Sequence, residues 1–335
     1  MFQGRMTRLL AMLATLFVLL AATALPAGAI GRDAGEIVVA NRGSGDLSVI
    51  DANTLAVNPV ALPDAAEPMY VSHSKQNGTV LVGDRANNRV IALDDESYDV
   101  LGTVNVGEGV FHQWVDNRQL WVVGDIANTV TVVDPKTLTV IETISIPDEL
   151  TEAGGKPHDV FVEGPFAFVS IIGLADGVVL QYSTNTFEET GRIVTGADPH
   201  LFVQSARLYV ASQGGSTVSV YRMSDLYPLG SANVPNAHGI WVTPSGEVLT
   251  TNLAGGGIDA VYQLDRLLTG VTDTVDTPFA VPHNLTVDRF GEQAFVTHSG
   301  GTANRVSIIE LGGSGFGGVN SVTVGTNPFG LALVR

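Results

Sequence analysis

The chain has 335 residues, a formal charge of −17 and no cysteine. Without thiols it has no disulfides, no thiolate metal ligands and no cysteine nucleophile. Its acidity repels phosphate backbones and anionic lipid, which argues against nucleic acid and membrane surfaces as partners. With 45% hydrophobic residues and 38 glycines, one large all-β domain is within reach of this length.

The first residues read as an export signal. Arg5 and Arg8 form a short basic segment, Leu9 to Leu25 carries no charge, and Ala27-Gly28-Ala29 offers a small-x-small cleavage site. The apolar run is short for a membrane span. The expected division is therefore a signal peptide over residues 1–29 and a mature domain over 30–335, periplasmic or secreted and free of the membrane once the signal is removed.

From there the chain reads as short strands. Glu36 to Asn41, Asp46 to Asp51 and Val57 to Leu62 form one set. Thr79 to Asp84, Arg89 to Asp94 and Tyr98 to Val106 form the next, then Leu120 to Asp125, Thr129 to Asp134 and Thr139 to Ile146. Weaker sets begin at Ala167, Leu208, Val248 and Ala294. Segments rich in Val, Ile and Thr between clusters of Gly, Asn, Asp and Ser are half-buried antiparallel strands. Helical periodicity is absent, apart from a candidate short turn at Leu264 to Leu268.

Between these sets one stretch recurs. Pro157-His158-Asp159-Val160 has counterparts at Pro199-His200, Ala237-His238 and Pro282-His283, and Phe111-His112 fits the same frame. Pro68-Met69 and Pro328-Phe329 are degenerate copies at either end. Two residues after the histidine position stand Val71, Trp114, Val160, Phe202, Ile240, Leu285 and Leu331, at steps of 43, 46, 42, 38, 45 and 46. Four strands per period of about 40–45 residues make a β-propeller blade. The expected fold is an all-β, seven-bladed β-propeller. Its last blade is closed by the N-terminal strands together with Phe329 to Val334.

The segment Val39 to Asp51, with Tyr209-Val210-Ala211-Ser212 and Pro157-His158-Asp159-Val160, resembles the repeat of the YVTN-type β-propeller family over nearly the whole mature chain. The resemblance implies the propeller. It selects no activity, since similar propellers serve as binding scaffolds, lactonases and redox enzymes.

In such a blade the first strand lines the central channel. On this alignment His112, His158, His200, His238 and His283 share one register and should converge at one mouth, with Met69 and Phe329 in equivalent places. Loops joining second and third strands open on the same face and present Asn41, Asp84, Asp125, Asn252 and His298 as an outer ring of ligand-binding groups. Converging neutral imidazoles suit copper, zinc or nickel, and the Met69 thioether would favour copper. Binding should weaken below about pH 6, near the reference histidine pKa. The competing reading is structural, each imidazole bonding a neighbouring blade's backbone.

Other features carry less. His73 reads as a solvated turn residue. Gly313 to Gly318 has dinucleotide-binding glycine spacing but precedes a strand and not a helix. No serine elbow or zinc-protease motif occurs. The function expected is an exported propeller binding a transition metal, copper favoured, or a small ligand at the channel mouth. The alternatives are a non-catalytic envelope scaffold for a protein partner, and a lactonase-like hydrolase whose acid–base pair is not visible.

Overall fold

Val, Ile and Thr fill the strands because a branched Cβ packs well on a pleated sheet. The computed structural model describes residues 32–116, 118–253, 258–312 and 315–334, so the expected signal peptide lies outside the described residues. The strands form seven antiparallel sheets of four. Six are continuous blades, spanning 68–105, 110–145, 156–195, 199–233, 237–276 and 282–323. Strands Glu36–Asn41, Thr79–Asp84, Arg89–Asp94 and Thr129–Asp134 have the expected bounds. Leu264 ends the strand Ala260–Leu264, and the short turn expected there falls at Arg266 and Leu267. The short helices Lys75–Asn77 and Asp148–Thr151 fall in loops, too brief to leave a periodic pattern.

The seventh blade joins the chain ends. Pro328–Val334 pairs antiparallel with Glu36–Asn41, and Asp46–Asp51 and Val57–Ala61 follow outward. Closure leaves no open edge in the ring.

Burial falls from axis to rim. All six residues of Thr79–Asp84, a second strand, are buried, whereas every residue of Val271–Asp276, an outermost strand, is exposed or half-buried. Second strands read as continuous apolar runs because both faces meet a neighbouring blade. Val80 and Val82 pack with Val38, Ala40 and Leu47 of the closing blade, while Leu81 packs with Leu120 and Val122 of the next.

One turn recurs between third and fourth strands. The carboxylate of Asp51 accepts the backbone N–H of Asn53 and Thr54, Asp94 accepts those of Glu96 and Ser97, and Asp134 those of Lys136 and Thr137. These are turns in which a short carboxylate stands in for backbone. Each ends on a left-handed residue that is not glycine: Leu55, Tyr98, Leu138, Phe187, Leu226 and Leu268 have φ between 53° and 60°. Such backbone costs about 1–3 kcal/mol per residue. The side chains offset it by packing onto the inter-blade cores.

Candidate functional site

The strands nearest the axis are Pro68–Ser74, Val110–Asp116, Lys156–Glu163, Pro199–Gln204, Ala237–Val242, Pro282–Val287 and Pro328–Val334. Six of the seven open with a bulge, and the strand starting at Pro199 does not. In a bulge two residues face one on the partner strand, and they aim in different directions. The bulged pairs are Met69-Tyr70, Phe111-His112, His158-Asp159, His238-Gly239, His283-Asn284 and Phe329-Gly330, while His200 faces Ala211 alone.

This pairing corrects the expected register in two blades. Val110 holds the place of Pro157, so Phe111, and not His112, is the equivalent of His158. Four histidines share the register, not five. In the unbulged strand Leu201, and not Phe202, is the equivalent of Val160, because Leu201 pairs Val210 as Val160 pairs Val169.

First residues of the pairs, with His200, close a circuit around the axis. Ring centroids are 4.5 Å apart for Phe111–His158, 4.8 Å for His158–His200 and 3.7 Å for His200–His238. The circuit continues through His238–His283 at 4.7 Å, His283–Phe329 at 4.3 Å and Phe329–Phe111 at 5.8 Å. Met69 is fully buried beside Phe329, Phe111 and Tyr70. In ring order it lies three places from His200, so the thioether sits on the apolar arc and not among the imidazoles. Phe329 lies on the same arc, packed against Met69, Tyr70 and Phe111.

Second residues form a layer beneath. Tyr70, His112, Asp159, Gly239 and Asn284 line a cavity of about 40 Å3, floored in part by Trp114, Phe161 and Trp241. That is room for a few waters, not for a sugar-sized molecule. Phe202 continues the aromatic floor, 5.5 Å from Phe161 and 4.5 Å from Trp241. Gly239 is required here, since a Cβ would stand 2.3 Å from the His283 carbonyl oxygen. His112 lies in this layer against the Tyr70 edge, and its Nδ1 accepts the Val160 N–H at 3.2 Å. Its backbone contact to a neighbouring blade matches the structural reading for this one histidine.

Asp159 is the residue sequence reasoning passed over. Its Oδ2 accepts the Leu201 N–H at 3.0 Å and lies 3.5 Å from His200 Nδ1, while Oδ1 lies 3.8 Å from His158 Nε2. Donor atoms of His158, Asp159 and His200 all fall within 4.8 Å of one another, a group able to hold a metal ion. Asp159 Oδ1 and His238 Nε2 are buried with no hydrogen-bond partner among the described residues. The signal was available: among the second residues of the repeat, only position 159 carries a carboxylate.

Electrostatics sharpen the picture. Burial, helped by His200 and His112 against the opposing pull of Asp159, lowers His158 to about 3. Burial, then His200 and His158, take His283 to about 3, and burial and His200 hold His238 well below its ordinary value. Burial likewise lowers His112. Burial pushes the Asp159 carboxyl up, but the imidazoles of His112, His200 and His158 outweigh it and hold it below the usual carboxylate range. The result is a carboxylate held ionised, near imidazoles of His158, His238 and His283 whose burial favours the neutral form.

Asn41, Asp84, Asn252 and His298 end their second strands and Asp125 follows one, and most of their polar atoms bond within the fold. Asp84 is fully buried, accepting from the Glu67 N–H, Asn87 and Arg89. Asp125 pairs with Arg85 at 3.0 Å. Asn252 donates to the Ile258 carbonyl and accepts the Ala260 N–H, and Asn41 donates to Asp46 and Ser48. Both His298 nitrogens are engaged, one with the Ala280 carbonyl and one with the Ser307 hydroxyl. His73 is not a solvated turn residue: its Nε2 meets Asp95 Oδ2 at 2.8 Å in a half-buried pair.

No family model and no curated protein matches the sequence. Solved structures do match in shape. The periplasmic gluconolactonase PpgL of Pseudomonas aeruginosa has a TM-score of 0.73 at 15% identity, over 90% of this chain and 99% of that one. A putative 6-phosphogluconolactonase from Bacteroides fragilis gives 0.72 at 17%, over the same shares. Hydrazine synthase of Kuenenia stuttgartiensis gives 0.65 at 16%, over 78% and 88%. At these identities the likeness is one of fold.

Proposed function

We propose that this protein binds a divalent transition metal at the His-lined mouth of the propeller channel, through His158, Asp159 and His200. The observation that carries the reading is the buried Asp159 carboxylate, with Oδ1 unpartnered and two imidazoles beside it. A buried, unpaired charge is expensive, and an ion would balance it. Nitrogen and oxygen donors at about 2.1 Å from an ion stand at most about 4.2 Å apart. At tetrahedral angles such donors stand about 3.4 Å apart, so the widest separation in the group must close by up to about 1.4 Å. His238 Nε2, beside His200, is a candidate fourth donor.

Two imidazoles and a carboxylate suit copper(II), zinc or nickel, and the general order of divalent affinities puts copper first. With Met69 on the apolar arc, its thioether adds nothing to the preference for copper. The ion would supply Lewis acidity at the mouth. The segment over residues 1–29 supports export to the periplasm or beyond. A second reading, metal-assisted lactone hydrolysis, is favoured by the two lactonases among the structural neighbours.

The test is metal content of purified protein after incubation with copper, zinc and nickel. One ion per chain is expected. Asp159→Asn, which keeps an oxygen for the Leu201 N–H, should lower affinity by at least tenfold, and His158→Ala with His200→Ala should abolish it. Wild type that takes up none of the three at micromolar concentration would refute the proposal. Lactone turnover that appears only in the loaded protein would establish the second reading.

A further inference from the structure

The mouth has two unlike sides. Four imidazoles occupy one arc, and Phe111 and Phe329 occupy the other, each under a guanidinium. Arg42 Cζ lies 5.5 Å from the Phe329 centroid and Arg85 Cζ lies 6.0 Å from that of Phe111. The chain carries 34 acidic residues against 17 basic ones, so its overall field repels anions. An anionic ligand would reach this mouth only with a local cation to receive it.

The two arginines differ in what they have left to offer. Arg85 Nη1 donates to the Gly109 and Val110 carbonyls at 3.0 and 3.2 Å, and Nη2 faces Asp125 at 3.0 Å. Its fork is spent. Arg42 makes one polar side-chain contact among the described residues, from Nε to Glu67 Oε1 at 2.7 Å. Glu67 fixes the plane of the guanidinium and leaves both terminal nitrogens, on a side chain 34% exposed. Phe329, beneath it, is 4.3 Å from His283, so the free edge of Arg42 and the imidazole arc border one opening.

We propose that the mouth receives a small carboxylate-bearing ligand, its carboxylate on the free edge of Arg42 and its body against Phe329 and Phe111. A guanidinium fork matches a carboxylate in a planar, two-bonded pair. Stacking on an aromatic face keeps the fork ordered before the ligand arrives. The ligand sits on the ring and not under it, since the cavity of about 40 Å3 holds only water. A second donor on the ligand would complete the coordination of the ion, and this contact alone rests on the metal reading.

Glycolate is the probe, with glycolamide as its uncharged counterpart, titrated by NMR into metal-free and metal-loaded protein. Glycolate should bind at least tenfold more tightly than glycolamide in both states. Arg42→Gln should weaken glycolate by tenfold or more, and Arg42→Lys should recover only part of that. Arg222→Gln should change nothing, because Arg222 stacks on Tyr227 and pairs with Asp225 away from the mouth. Equal binding of glycolate and glycolamide to wild type would overturn the proposal. So would Arg42→Gln protein that binds glycolate as wild type does, and if only its loaded form binds, the ion alone holds the anion and the metal reading stands. Arg42-dependent binding in protein that takes up no ion would keep the carboxylate site and remove the metal.

Discussion

An imidazole walled in by other imidazoles is a poor base. His283 is 5% exposed, between His238 and Phe329, and its folded-state pKa of about 3 lies far below the ordinary 6.5. The unfolded chain therefore binds more protons between these values, so the contribution of this group is intact above about pH 6.5 and falls as the pH drops toward 3. Each pH unit in that window costs about 1.4 kcal/mol for such a group. His283→Phe, which places beside Phe329 a ring of its own kind, should flatten the acid limb of stability. Melting temperature between pH 7 and pH 4 checks this, and an unchanged slope would refute it. For the same reason ion release should set in below the pH 6 expected of a reference histidine, because His158 competes for protons only near 3. At this scale the sequence exposed the imidazoles but not their state. The histidine column is visible because it repeats, whereas the carboxylate of Asp159 occurs once in the next column and is brought to the site by a bulge that composition does not encode.

At the scale of the strand, legibility depended on what sets each feature. Second strands such as Thr79–Asp84 were readable to the residue because both of their faces are apolar. Inner-strand register was not, because a bulge adds one residue without changing composition. The repeat around Phe111-His112 offered a histidine one place late, and the unbulged strand at Pro199 shifted Phe202 the other way. A one-residue slip sends a side chain to the other face, which moved His112 from the ring to the layer beneath it. Close approach of inner strands also depends on residues no pattern announces. Gly239→Ala would drive a methyl into the His283 carbonyl and the Thr251 hydroxyl. Overpacking of this kind costs about 1–3 kcal/mol. It should lower the melting temperature and reduce ion affinity together, since the strand carrying His238 must shift. Wild-type values for both would mean that the inner strands have more freedom than their packing implies.

The whole molecule is a ring closed by its last strand. Proteins named as lactonases and as a hydrazine synthase share that ring at 15–17% identity, so the architecture leaves chemistry to the residues at the axis. Closure and blade count were legible because three strands precede the first repeat and one follows the last. The same closure makes the C-terminus indispensable. Leu331 and Val334 are buried, and the strand holding them pairs with Glu36–Asn41. Burying two such side chains contributes about 1.5–3 kcal/mol each, before the lost ladder of hydrogen bonds is counted. Total stability of a domain is about 5–15 kcal/mol. Deleting residues 331–335 removes most of the inner strand of the closing blade and leaves Glu36, Ile37, Val38 and Val39 without their partners Val334, Leu333, Ala332 and Leu331. The truncated protein should melt far below wild type or fail to fold, and its exposed edge should drive association at higher concentration. Thermal unfolding and size-exclusion chromatography measure both effects. A monomeric truncation with wild-type melting would mean that the ring is held by the six continuous blades alone.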